Sequence, residues 1–263
     1  MKVPETQTSD SWSKANIGFH AKAEKALRQL FDSAKAKNEL HFALSLNAEF
    51  RGLQAPGWST AAEAQAAFNE YLEHLKSAPN TPFYARVALG FYCHIAEASG
   101  FYEVPMNLLR VAEGRRYNGW PFKELVKQHK LTGNLIAPNT NKVLGYLSGY
   151  AKNLGFDELA ETFRDVFDHD LRYGYAHADY VVWDDGVRLP KRNGGQRRTV
   201  SWPKFNALLN RGINFFNLLT EMVGEYRDHY NPPKNVKGRL ADEPEATWTI
   251  HSDPETKTFR IFG

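Results

Sequence analysis

Arg172 and His177 are separated by four residues in Leu171-Arg172-Tyr173-Gly174-Tyr175-Ala176-His177-Ala178-Asp179-Tyr180, and together they have the equipment to cleave a phosphodiester without a metal. A guanidinium presents rigid planar donors that match phosphate, and an imidazole gives or takes a proton near neutral pH. On a straight helix, residues five apart are rotated by roughly 140°, so these two side chains do not share a face. They come together in one of two ways: Gly174 loosens the last helical turn, or a second copy of the chain completes the site across a two-fold axis. The ordinary alternatives are a surface ion pair between Arg172 and Asp168, four residues earlier, and a hydrogen-bonded histidine near a helix end.

Downstream, Arg188, Lys191, Arg192, Arg197 and Arg198 form a basic cluster that either tracks an RNA backbone or keeps a loop solvated. Trp183 and Trp202 flank it as base-stacking or packing residues. Asp165, Asp168, His169 and Arg172 recur at helical spacing, but a charge stripe on one face is ordinarily solvated. No second helix offers a His-x-x-x-His or Glu-x-x-His pair, so no metal is expected. Cys93, the only cysteine, excludes an intrachain disulfide and a multi-cysteine zinc site. It lacks a partner motif for nucleophilic catalysis, and both it and His94 read as packing residues. No Gly-rich phosphate loop is present, and no cofactor is expected.

Helical periodicity positions this chemistry. It predicts helices over 15–36, 41–53, from Ser59 or Thr60 to Pro79, and from Thr81-Pro82 to Gly100. A short helix follows over Phe122 to Lys130, and another over Lys142 to Leu154. A long one then runs from Asp157 into the motif along Leu159, Phe163, Val166, Phe167 and Leu171. After the motif the period changes to two. Tyr180 to Trp183, the turn Asp184-Asp185-Gly186 and Val187 to Leu189 read as a hairpin, and Arg197 to Ser201 as a further strand. Ser201 is placed to cap a long closing helix through Phe205, Leu208, Ile213, Phe216, Leu219, Val223 and Tyr226. The expected organisation is a flexible N-terminus over 1–14, a helical domain with an N-terminal helical extension over 15–230, and a C-terminal tail over 231–263 carrying a β-hairpin.

This order of elements, with its Arg-x4-His motif, resembles the HEPN family, the "higher eukaryotes and prokaryotes nucleotide-binding" helical domains; the resemblance is best from about Phe156 to Tyr226. It implies a mainly α fold, a HEPN-like helical bundle with a small β-meander between the last two long helices. It also implies a homodimer acting on RNA as a metal-independent endoribonuclease of the kind found in prokaryotic toxin and phage-defence systems, with an antitoxin or other protein partner. Arg172 then holds the scissile phosphate and His177 transfers a proton, leaving a 2′,3′-cyclic phosphate. Tyr173, Asp179 and Tyr180 are supporting residues. Active members usually carry a polar residue after the arginine, and some carry a tyrosine two residues after the histidine; here the positions hold Tyr173 and, three residues on, Tyr180. The alternative is a catalytically silent HEPN-like module that binds a protein or nucleotide through the same cleft.

Composition sets the outer bounds. The chain has 263 residues, of which 42% are apolar and 24% charged, with a formal net charge of +3, so a sizeable core is expected and any nucleic-acid site must come from local clustering. No run reaches the ~18 apolar residues of a membrane span, and the polar start has no signal-peptide core, so a cytoplasmic protein is expected.

Overall fold

The computed structural model describes residues 10–47, 60–79, 81–190, 196–256 and 258–263. It is mainly α. The helices are α1 (Asp10–Lys37), α2 (Glu39–Leu46), α3 (Thr60–Ser77), α4 (Pro82–Glu97), α5 (Glu103–Glu113), α6 (Thr140–Asn153), α7 (Asp157–Asp165), α8 (His169–Ala176) and α9 (Trp202–Asp228). The strands form antiparallel sets: β1 (Lys127–Gln128) with β2 (Leu135–Ile136); β3 (Val181–Trp183), β4 (Gly186–Leu189) and β5 (Arg198–Ser201); and β6 (Lys234–Gly238), β7 (Ala246–Asp253) and β8 (Thr258–Phe262).

Two apolar cores share α9 as a common wall. Leu27, Phe31, Phe42, Leu109, Leu147, Phe163 and Tyr226 belong to the first, built by α1, α2, α5, α6, α7 and the C-terminal half of α9. Phe68, Phe91, Tyr92, Leu171, Val187 and Phe205 belong to the second, built by α3, α4, α8, the β3–β5 sheet and the N-terminal half of α9. The aromatic stripe of α9 turns once along its length: Phe216 stacks on Phe68 (centroids 4.5 Å) and on Phe101 (4.1 Å), while Tyr226 packs on Phe31 (4.9 Å). Burying such rings is the largest single source of stabilisation available to these helices.

Where local chemistry is strong, the periodicity finds its element. Thr81 caps α4 by accepting from the Tyr84 N–H at 3.2 Å, with Pro82 in the first turn. The sheet between α8 and α9 is in the predicted place, with Val182 opposite Val187 and Val187 opposite Val200.

Several expectations are corrected. Helix α1 begins at Asp10, inside the stretch expected to be flexible, and residues 1–9 lie outside the described set. The helix expected to run from His41 to Leu53 is shorter, ending at Leu46. In place of a helix over Phe122 to Lys130 there is a 3-10 turn, Lys123–Leu125, followed by β1. Helix α5 has no counterpart in the sequence reading, although Glu103, Asn107 and Arg110 recur at helical spacing among its apolar residues; Pro105 sits in its first turn, where it costs no backbone bond. Ser201 precedes α9 but its side chain makes no capping bond. The tail carries three strands instead of a hairpin, and they belong to the first core through Val236 and Ile250.

His41, buried in α2, ties the tail to the body. Its Nδ1 accepts from the Tyr117 N–H at 3.2 Å, which leaves Nε2–H to donate to the Arg239 carbonyl at 3.0 Å. Burial lowers its pKa below the usual value, so the ring is held neutral.

Candidate functional site

The helix that carries the motif is broken just before it. Residues 166–168 separate α7 from α8, and Asp168 caps α8 by accepting from the N–H groups of Asp170 (3.1 Å) and Leu171 (3.2 Å). The Asp168 N–H donates to the buried Tyr92 hydroxyl at 2.5 Å. Arg198 of β5 grips the same cap, reaching Asp168 Oδ2 at 2.5 Å and Asp170 Oδ2 at 2.9 Å. The expected stripe of Asp165, Asp168, His169 and Arg172 on one helix face is therefore cut in two. Among the described residues no group of His, Cys, Asp or Glu gathers in a way that could hold a metal ion.

Arg172 and His177 leave α8 on different sides. Arg172 is buried, 7% exposed, and its guanidinium forms an ion pair with Glu97 at the end of α4, not with Asp168. Glu97 also accepts from Thr140 Oγ1 at 2.5 Å, so one carboxylate joins α4, α6 and α8. His177 is exposed at the C-terminal cap of α8, with its ring 4.3 Å from that of Tyr173. Gly174 does not loosen the last turn. It is a regular, buried α8 residue, where a Cβ would come within 2.7 Å of Leu189 Cδ2; its smallness lets β4 lie close against the helix.

His177 is followed by a Schellman stop. The Ala178 N–H bonds to the Tyr175 carbonyl (3.1 Å), the Asp179 N–H bonds to the Gly174 carbonyl (2.7 Å), and Ala178 adopts φ +51°. A β-carbon costs energy in that left-handed conformation. Ala178→Gly is expected to stabilise the protein by about 1 kcal/mol, read as a higher urea midpoint with an unchanged slope.

The surface that results was not visible in the Arg-x4-His spacing. Asn141 of α6 donates to His169 Nδ1, and the His169 ring lies edge-on to Tyr173 (6.1 Å), which meets His177. With Thr140 beside Asn141, contacts run without interruption from the Arg172–Glu97 pair through Thr140, Asn141, His169 and Tyr173 to His177. The signal for it in the sequence was the i, i+4, i+8 spacing of His169, Tyr173 and His177. Tyr175 and Tyr180 stack on each other (5.9 Å) at the other side of the helix end.

The basic cluster is divided among tasks. Arg198 is committed to Asp168 and Asp170. Arg188 pairs with Asp185 (3.0 Å) and lies over the Trp183 ring at 5.0 Å. Arg197 is exposed, and Lys191 and Arg192 lie outside the described residues. Trp202 is buried, its indole N–H shared between the Trp183 and Asp184 carbonyls at 3.1 and 3.0 Å, so it packs and does not stack on a base; Trp183 is exposed. Burial pushes the Cys93 thiol up to about 12, which keeps it protonated and unreactive at neutral pH. Among the described residues, no helix is long and apolar enough to cross a membrane. No family model, curated protein or solved structure matches the chain.

Proposed function

We propose that the chain is a HEPN-type, metal-independent endoribonuclease whose RNA-contacting surface is the strip from Glu97 and Arg172 to His177. The continuity of that strip is what supports the reading: one phosphate-binding cation, one exposed imidazole and an aromatic surface between them for a base. In the proposed reaction the ribose 2′-oxygen attacks phosphorus, the bond to the 5′-oxygen breaks, and His177 carries the proton between them. A 2′,3′-cyclic phosphate and a 5′-hydroxyl result. Arg172 exchanges its carboxylate partner for the phosphate, one anion for another, while the exposed Glu97 turns to solvent. Two copies are expected to face each other along α8, as the HEPN resemblance implies.

The second reading, a silent HEPN-like binding module, is favoured by one observation: Arg172 already has its anion. Incubating wild type and His177→Ala with mixed RNA in EDTA and analysing the fragment ends separates the two. The nuclease reading expects cyclic phosphate ends from wild type and a loss of about 100-fold or more in a His177→Ala variant that folds as wild type does. A folded, dimeric wild type that cleaves none of several RNAs establishes the silent module instead.

A further inference from the structure

On the first core, away from α8, the end of α1, the start of α2, the 114–116 turn and β6 enclose an open groove of about 860 Å³. Six cations line it, Lys35, Lys37, Arg116, Lys234, Lys237 and Arg239, against three carboxylates. That excess equals the formal net charge of the entire chain, +3, so the remaining charges sum to zero. The carboxylates answer only half of the cations. Asp32 accepts from the Tyr226 hydroxyl at 2.5 Å, and Glu39 is held by Lys234 with both oxygens at 2.7 Å. Arg116 turns to Asp242, whose side chain is fully exposed, a pair that contributes little. Lys35 and Lys37 complement the carbonyl end of α1. No such helix end accounts for Lys237 and Arg239, which flank Gly238 at the end of β6 and for which the described residues supply no ion pair. His41 in the wall is neutral and adds no charge.

We propose that this groove binds a chain of phosphoryl groups, as in an oligophosphate or the 5′-triphosphate of a nucleotide. Its volume far exceeds one phosphate, its cations come from three separate segments, and the aromatic rings near it, Tyr226 and Tyr230, are already covered by Lys35 at 5.8 and 5.7 Å. The groove therefore recognises charge and not a base. It is a different site from the α8 strip.

Calorimetric titration of the full chain with sodium tripolyphosphate, with orthophosphate as reference, tests the site. Tripolyphosphate is expected to bind roughly tenfold or more tightly than orthophosphate, with an affinity that falls steeply as salt is raised. Lys237→Glu/Arg239→Glu is expected to lose about tenfold or more, and the neutral Lys237→Gln/Arg239→Gln an intermediate amount, with melting temperatures confirming that both fold. His177→Ala is expected to bind as wild type does, which separates this site from the RNA-cleavage proposal. A nucleoside triphosphate and a 5′-triphosphorylated oligonucleotide, titrated in parallel, identify the source of the phosphate chain. Equal binding of tripolyphosphate by wild type and the charge-reversed variant, or no preference over orthophosphate, overturns the proposal.

Discussion

Replacing Arg172 with alanine is expected to lower the free energy of unfolding by about 3 kcal/mol, against less than about 0.5 kcal/mol for His177→Ala. The contrast follows from where α8 puts them. Arg172 is buried and its guanidinium satisfies Glu97, which also receives the Thr140 hydroxyl, so removing it unties α4 and α6 from α8 together. The buried stem of the arginine also fills space that alanine leaves open. The loss stays at the low end of the range for a broken buried pair because the Glu97 side chain, 45% exposed, can return to water. Glu97→Gln keeps an acceptor for Thr140 and is expected to cost about 1 kcal/mol. Urea unfolding of the variants measures these differences. Equal stabilities for Arg172→Ala and His177→Ala would show that the pair does not hold the helices, leaving Arg172 free for substrate from the outset.

The same contrast shows why the fold was more legible than the site. Periodicity sees neighbours along a helix, and it placed α4, α6, α9 and the β3–β5 sheet close to their positions. It passed over α5, where Glu103, Asn107 and Arg110 do keep helical spacing but Pro105, inside the first turn, reads as a break. It also ran α7 and α8 together, because Leu159, Phe163, Val166, Phe167 and Leu171 keep helical spacing across the break; Asp168, an N-cap residue type two positions before Asp170, was the local sign of a new start. Arg172 was given the partner that spacing allows, Asp168, four residues away. Its real partner lies 75 residues earlier, and Asp168 is taken by Arg198, 30 residues later. Such pairings depend on helix packing, which leaves no mark in a local window. The His169, Tyr173 and His177 ladder is readable from the same segment, although in the sequence His169 also falls into the charge stripe of Asp165, Asp168 and Arg172.

Gly186→Ala is expected to be more damaging still, by about 4 kcal/mol, although it lies in the sheet and makes no contact with the proposed RNA strip. Gly186 opens β4 with φ +147°, and a Cβ there would fall 2.1 Å from the Val200 carbonyl oxygen and 2.8 Å from Ser201 Cα. Both are backbone atoms, so no side chain can rotate away and the strands must part where Gly186 faces Ser201. Gly174→Ala makes an instructive control, because its closest approach, 2.7 Å, is to the end of the Leu189 side chain, which can yield, and the nearest backbone atom, the Asp179 carbonyl oxygen, is 3.2 Å away; about 1–2 kcal/mol is expected. Parting β4 from β5 has two readouts. The Trp202 indole loses the Trp183 and Asp184 carbonyls and its emission shifts to the red. Arg198, carried on β5, loosens its hold on Asp168 and Asp170, so α8 loses a brace at its first turn and the His169 to His177 ladder loses its alignment. Any RNA cleavage should therefore fall in Gly186→Ala and in Arg198→Ala alike, and wild-type stability with unshifted Trp202 emission in Gly186→Ala would contradict the β4–β5 approach on which this route to α8 depends.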